Sequence, residues 1–269
     1  MNGAASPVAT AAGSAFLRID ARNGFAYPAI DLAIDEICAS VKTTGLAAAA
    51  ITGSHHCGQL GHHVERLAER GLVALMVANT PKAMAPWGGN TPLFGTNPIA
   101  FAAPRNNEPP LVIDLSLSKV ARGKIMAAAK RGETIPEGWA LDRDGNPTTD
   151  PKAALDGMML PMGDAKGSAL ALIVEILAAS VTGANYSYEA TSFFEAEGAP
   201  PGVGQFILAL DPGVSVFHKR LEALIGEIEG QDGARLPGSG RIGARDTARA
   251  QGLPIPAHLL QEIERAMSG

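Results

Sequence analysis

The sequence predicts an α/β protein whose sheet is covered by helices on both faces. Two stretches, Leu72 to Ala78 (LVALMVA) and Leu111 to Leu115 (LVIDL), are almost wholly apolar, as strands buried on both sides are. Strand-like runs alternate with segments whose apolar residues recur at helical spacing. A chain of 269 residues with 46% hydrophobic content can also bury a full core, as one large domain or two smaller lobes.

In chain order, Ala15 to Ala21 alternates enough for a short strand, and Asn23-Gly24 is a turn dipeptide. Pro28 opens a helix expected over Ala29 to Val41, with Ile30, Leu32, Ala33, Ile37 and Cys38 on one apolar face, ended by Lys42 to Gly45. A strand over Ala47 to Thr52 leads into Ser54 to His63 (SHHCGQLGHH), and then into a helix from Val64 to Arg70 closed by Gly71. After the strand at Leu72 to Ala78, residues Asn79 to Pro104 are dense with Pro and Gly, a length of loop that in compact domains is usually functional. Pro98 to Pro104 is expected to return from it as a strand. Leu111 to Leu115 ends at Ser116, and Ser118 is expected to cap a helix over Lys119 to Lys130.

Gly132 to Pro161 reads as a polar surface excursion. Asp142, Asp144 and Asn146 around Gly145 have the outline of a calcium loop, but Pro151 stands where the liganding glutamate is required. The longest apolar helix is expected over Ser168 to Thr182, with Leu170, Ile173, Val174 and Leu177 on one side. A last strong strand follows at Gly204 to Leu210, then amphipathic helices over Val216 to Ile228 and Ala257 to Met267. Between those helices ARLPGSGRIGAR reads as a glycine-rich basic loop.

A formal net charge of −5 supplies no general attraction for nucleic acid or an anionic membrane. The start has no Lys or Arg before Arg18 and no uninterrupted apolar core, so a secretory signal is not expected. No apolar run is long enough for a membrane span, and Cys38 and Cys57 make no disulfide framework. A cytoplasmic protein is the expectation.

The chemistry concentrates at the strand-to-helix turn, which holds His55, His56, His62 and His63, four of the six histidines, together with Cys57. Imidazole titrates nearest neutrality, so such a turn is a natural proton donor, metal site or anion site. The donors suit a metal, though adjacent His55 and His56 point apart and no carboxylate accompanies them. Cys57 has bases nearby for a nucleophile but no identified orienting group. A proton donor to a carbonyl or imine asks only that His56 be correctly placed. The plain alternative is a set of solvated histidines.

Asp114 and Ser116 at a strand end fit a ligand crevice, or Ser116 caps the next helix. Lys166, Arg241 and Arg245 suit an anion and equally suit exposure to water, and Trp87 is either a pocket wall or ordinary packing. The Gly-x-Gly-x-x-Gly fingerprint does not follow the first strand, Gly58-x-x-Gly61 is too common to carry weight, and the P-loop lysine motif is absent from the sequence.

Taken together, SHHCG (54 to 58), MAPWGG (84 to 89), LFGTNPIAFAAP (93 to 104), DLSLS (114 to 118), IPEGWALDRDGNPTTDP (135 to 151), GDAKG (163 to 167) and RLPG (235 to 238) resemble the malate/L-lactate dehydrogenase family in kind and order. The resemblance implies a non-Rossmann α/β fold, a mixed sheet flanked by helices with a C-terminal helical segment. It divides the chain into a cofactor-binding domain at 1–212 and a helical segment at 213–269 completing the same unit. It also implies an oxidoreductase using NAD or NADP to move hydride between the nicotinamide and a small 2-oxo, 2-hydroxy or cyclic 2-imino acid, as a homodimer.

By the same resemblance His56 is the catalytic residue, with Ser54 and His55 beside it at the cofactor. Asp114, Leu115, Ser116, Lys166 and Gly167 are implied cofactor contacts, as are Gly238, Ser239, Gly240 and Arg241. No metal is implied. Family members usually begin with a helical segment carrying Ser-His-Gly and a substrate-facing arginine, which this sequence does not contain upstream of Ala15. PGSGR also stands where a glutamate commonly follows the Pro-Gly glycine. A second reading is therefore a catalytically silent cofactor-binding or assembly subunit.

Overall fold

A computed structural model describes residues 1–195, 197–213 and 215–268. The first strands are β1 (Val8–Ala11) and β2 (Phe16–Asp20). Helix α1 (Ala26–Thr44) buries Ala29, Ile30, Ala33, Ile34, Ile37 and Val41, a stripe at helical spacing. It ends where Gly45 turns left-handed (φ 74°) and donates its N–H to the Val41 carbonyl. Strand β3 (Leu46–Ser54), helix α2 (Leu60–Ala68) and strands β4 (Val73–Ala78), β5 (Ile99–Ala103) and β6 (Leu111–Leu115) follow.

Next come α3 (Arg122–Arg131), β7 (Ala140–Leu141), β8 (Pro147–Thr148), α4 (Pro151–Asp156) and β9 (Met158–Met159). Helix α5 (Ala165–Glu175) runs into a π turn over Ile176–Ser180, and β10 (Val203–Leu210) is the last strand. The chain closes with α6 (Ser215–Glu229), α7 (Ser239–Gln251) and α8 (Ala257–Met267).

The main sheet has seven strands in the order β1-β2-β3-β10-β4-β5-β6 and is mixed. β2 and β3 pair in parallel and every other neighbouring pair is antiparallel. Both faces are buried, as the apolar strands require. Ala74, Met76 and Ala78 of β4 join one core with α1 and α2, while Val77 points into a second core with Met84, Leu117, Ile125, Met159 and Val174. Period-two alternation along one strand therefore serves both layers.

Several stretches depart from the sequence-based expectation, among them β1, which was not expected, and α2, which begins at Leu60 rather than Val64 and so takes in His62 and His63. Residues 132–161 are not a plain excursion: β7, β8 and β9 form a small antiparallel sheet, and Ala140, Ala154, Met158 and Met159 are buried. Helix α3 starts at Arg122 after Ala121, and the Ser118 hydroxyl bonds instead to the Ser116 hydroxyl and the Val120 carbonyl. In α5 the small residues Gly167, Ser168 and Ala171 face inward with Val174, whereas Leu170, Leu172, Ile173 and Ile176 are exposed. The glycine-rich basic stretch is helical from Ser239.

The chain groups into two compact units, Met1–Glu222 and Ala223–Gly269, the division falling inside α6. The sheet and the site below belong to the first. In the second, Leu259, Leu260 and Ile263 of α8 are exposed. Among the described residues no helix is long and apolar enough to cross a membrane.

Candidate active site

Strand β3 delivers Ser54, and residues 55–59 carry the chain into α2. Gly58 adopts φ 68°, and a Cβ there would collide with the Tyr27 hydroxyl, so both torsion and space select glycine. The α2 N-cap, Gln59, makes no side-chain cap. Asp114 at the end of β6 supplies one from outside: its Oδ2 accepts the Gly61 N–H at 2.8 Å, a carboxylate placed at the positive end of the helix dipole.

His63 braces the turn from within, its Nε2 donating to the Cys57 carbonyl at 2.8 Å. A carbonyl only accepts, so Nε2 carries the proton; buried Nδ1 has no partner, and burial holds the ring's pKa below the usual histidine value. Cys57 is buried, and its thiol is pushed up to about 12 by that burial, with Asp114's charge adding to it. A thiol so placed is not a nucleophile at neutral pH. Among the described residues no group of three or more His, Cys, Asp or Glu converges on a metal, because His62 faces solvent while His63 turns inward.

A cavity of about 690 Å³, within the range of small-molecule sites, opens beside His56. Thr80, Lys82, Thr96, Arg122 and Phe193 share its wall with His56. The Phe193 ring stands edge-on to His56, centroids 5.3 Å apart, and also contacts His55 at 5.1 Å. His56 Nδ1 accepts the Gly58 N–H at 3.1 Å, which leaves Nε2 as the protonated nitrogen of the neutral ring. Although His56 keeps solvent contact, partial burial lowers its pKa. Burial lowers that of His55 too, with His56 as the next cause. Arg122 is half-buried, its pKa lowered by desolvation, and its Nη2 donates to the Leu155 carbonyl at 3.2 Å.

A smaller inner chamber of about 160 Å³ shares His56, Thr80, Thr96 and Phe193 with the larger cavity. His55, Cys57 and Gln205 also line it. Two fully buried side-chain oxygens in the chain's first unit have no partner, Gln205 Oε1 on β10, which lines this chamber, and Ser54 Oγ at the end of β3, which lines neither cavity. Native interiors seldom leave such groups unpaired, so an orphaned acceptor in the chamber wall fits a site that takes a polar ligand.

The walls are held by a buried carboxylate. Glu175, 5% exposed at the end of α5, accepts from Asn97 Nδ2 at 2.8 Å, from the Ser187 hydroxyl at 2.7 Å and from the Ser187 N–H at 2.6 Å. Asn79 Nδ2 donates to the Asn185 carbonyl, and Asn79 Oδ1 accepts the Gly204 N–H. These bonds tie the chain on either side of Thr80 and Thr96 to one fixed centre.

Of the residues expected from sequence, His55 and His56 line the cavities, and Asp114 reaches the turn through Gly61. Leu115, Ser116, Lys166 and Gly167 line neither cavity. Ser116 Oγ accepts the Ser118 N–H at 3.1 Å, Lys166 is exposed in the first turn of α5, and a Cβ on Gly167 would collide with the Met162 carbonyl. In the second unit Gly238 is the left-handed N-cap of α7 (φ 80°), and Ser239, Gly240 and Arg241 form its first turn. Sequence reasoning did not find Thr80, Lys82, Thr96, Arg122, Phe193 or Gln205. Thr80, Lys82 and Thr96 lie in the long loop singled out as functional, and Gln205 is the lone polar residue in GQFILAL, a readable signal.

The malate/L-lactate dehydrogenase family profile matches residues 1–264. The chain is 53% identical over 249 residues to the (2R)-3-sulfolactate dehydrogenase (NADP(+)) of Chromohalobacter salexigens, covering 92% of this chain and 74% of that protein. It is 42% identical over 268 residues to the Δ1-pyrroline-2-carboxylate/Δ1-piperideine-2-carboxylate reductase of Pseudomonas syringae pv. tomato, covering 98% and 78%. The crystal structure of Δ1-piperideine-2-carboxylate reductase from the same organism superposes with a TM-score of 0.91, covering 97% of this chain and 80% of that one. Sulfolactate dehydrogenase from Methanocaldococcus jannaschii superposes with a TM-score of 0.88 at 30% identity, covering 98% and 78%.

Proposed function

Since the chain belongs to the malate/L-lactate dehydrogenase family, we propose that this NAD(P)-dependent oxidoreductase acts on a small 2-oxo or 2-hydroxy acid or a cyclic 2-imino acid, with NADP(H) as its cofactor. The observation that carries the reading is the cavity in which His56 faces the same space as two cations, Lys82 and Arg122. When bound, the nicotinamide supplies the hydride; the residues of the chain bind, orient and manage protons.

Arg122 is the group for the substrate's carboxylate or sulfonate. Its guanidinium is already partly desolvated and spends Nη2 on the Leu155 carbonyl, leaving planar donor capacity for an anion. Lys82 adds a second positive charge on the same wall. His56 is the proton donor to a keto oxygen. To hold the second proton its Nδ1 must release the Gly58 N–H, so protonation is opposed by both burial and that hydrogen bond. A cyclic iminium brings its own proton and makes no such demand.

Cofactor contacts are assigned to Ser54, His55, Asp114, Leu115, Ser116, Lys166 and Gly167, supported by the orphaned Ser54 hydroxyl and by the exposed Lys166 ammonium. In its own unit the α7 start, Gly238 to Arg241, presents the positive end of a helix without a side-chain cap, suited to a phosphate. The free thiols of Cys38 and Cys57 suit the reducing cytoplasm. The outward apolar side chains of α5 suit a second copy of the chain, as a homodimer.

The test is NADPH oxidation across a panel of 2-oxo acids and cyclic imino acids, with dinucleotide titration alongside. Arg122→Met should raise KM for the accepted acid about a hundredfold, the loss of a charge-assisted pair, and leave the dinucleotide Kd nearly unchanged. Binding without turnover on any acid would replace this reading with a silent cofactor-binding subunit.

A further inference from the structure

Gln205 carries an unmet demand that names what fills the inner chamber. It sits on β10 between β3 and β4 at 0% exposure. Its Nε2 donates to the His55 carbonyl at 3.2 Å, which fixes the amide orientation, since a flipped amide would set oxygen against oxygen. Oε1 is therefore a committed acceptor, and it has no partner. Several of its polar neighbours in the chamber are engaged elsewhere, and neither the His55 nor the His56 ring bonds to it. Thr80 Oγ1 contacts Thr96 Oγ1 and accepts the Thr96 N–H, Asn79 is bonded through both amide atoms, and His56 Nδ1 is taken by Gly58. What is missing is a hydrogen-bond donor.

The remaining walls are apolar or aromatic, with Leu60, Ala78, Pro98 and Phe193. A chamber of about 160 Å³ compares with the cavity of ~150 Å³ that holds one benzene-sized ring. We propose that this chamber seats the nicotinamide ring of the cofactor, and that Gln205 Oε1 accepts an N–H of its carboxamide. The inference rests on the nicotinamide-dependent reading above and adds the residue that recognises the ring. The wall shared with the larger cavity then puts a ring seated here next to the compartment in which Arg122 holds the acid.

The experiment titrates wild-type protein and Gln205→Met with NADPH and with the reduced acetylpyridine analogue, in which a methyl replaces the carboxamide NH2. Wild type should bind NADPH about tenfold more tightly than the analogue, the scale of one buried acceptor left unpaired. In Gln205→Met that preference should shrink to less than about twofold, with the analogue's Kd barely moved. Circular dichroism and a thermal melt establish that the variant is folded. The wild-type comparison does not depend on it. Equal affinity of wild type for the two dinucleotides overturns the assignment of Gln205 while leaving the oxidoreductase reading intact. So does a folded variant that keeps the preference, or one whose substrate KM rises while cofactor affinity stays put. Failure of wild type to bind either dinucleotide overturns both.

Discussion

His56 in the turn and His63 in the first part of α2 stand seven residues apart, and burial lowers the pKa of both, with different consequences. His56 is depressed chiefly by burial, with its Nδ1 committed to Gly58. In reduction of a 2-oxo acid the protonated ring is the active form, so kcat/KM should fall as pH rises through a value below 6.5. Oxidation of the hydroxy acid should rise through the same value, and reduction of a cyclic imino acid should lack this limb. A reduction profile flat from pH 5 to 8 on a 2-oxo acid would remove His56 from the acid role.

His63 acts on stability instead. Its folded pKa lies below the unfolded value of 6.5, so between the two the unfolded chain binds more protons. The contribution is intact above the unfolded pKa and is lost as pH falls toward the folded one. Tm should therefore drop on acidification below about pH 6.5. His63→Gln, which keeps a donor for the Cys57 carbonyl and cannot titrate, should flatten that part of the curve. None of this was legible beforehand. The sequence marked four histidines as special, but which one opens on a cavity and which braces the turn depends on which ring nitrogen meets which backbone group.

At the scale of elements, legibility followed periodicity. Strands β3, β4 and β10 were readable because runs buried on both faces are almost wholly apolar, and the edge strand β6 because LVIDL is apolar but for Asp114. The strands β7, β8 and β9 are two residues each, too short to show any period, and their burial is set by partners distant in sequence. The α5 stripe was half right: Val174 is buried and Leu177 packs against the core, whereas Leu170 and Ile173, grouped with them, are exposed. Small residues complete the inward face, where the helix packs closely. Gly167 lies against the Met162 carbonyl, and one strand further on Gly204 lies against the Ala178 carbonyl of the π turn.

Close approach of this kind makes Gly204 the sensitive point of the π turn. A Cβ would collide with the Ala178 oxygen and meet Thr182 Oγ1 at 2.6 Å and Ala184 Cβ at 2.9 Å. Backbone on one side and a packed helix end on the other leave no room to relax. Gly204→Ala should cost about 1–3 kcal/mol, the range of overpacking, read as a lower urea midpoint with an unchanged m-value. A midpoint shift under about 0.5 kcal/mol equivalent would show that the turn yields.

For the whole molecule, the family and the mixed sheet were legible because motifs in a fixed order survive without any single one being diagnostic. The cavity was not, because Thr80, Thr96, Arg122 and Phe193 converge only through folding. Leu170, Ile173 and Ile176 are 40%, 52% and 46% exposed along the outer side of α5 and its π turn, an apolar surface larger than scattered exposure explains. If it joins two copies, Ile173→Glu should convert a dimer to a monomer in sedimentation equilibrium with secondary structure unchanged. A wild-type monomer at all concentrations would set the dimer aside.

Placing β10 between β3 and β4 also has a cost in time. During synthesis the ribosome releases β3 and β4 long before residues 203–210 emerge, so a nascent chain carries two open strand edges that cannot pair as they finally do. Contacts this distant in sequence close slowly. A cell making this protein has reason to shield those edges with a chaperone until the last strand inserts.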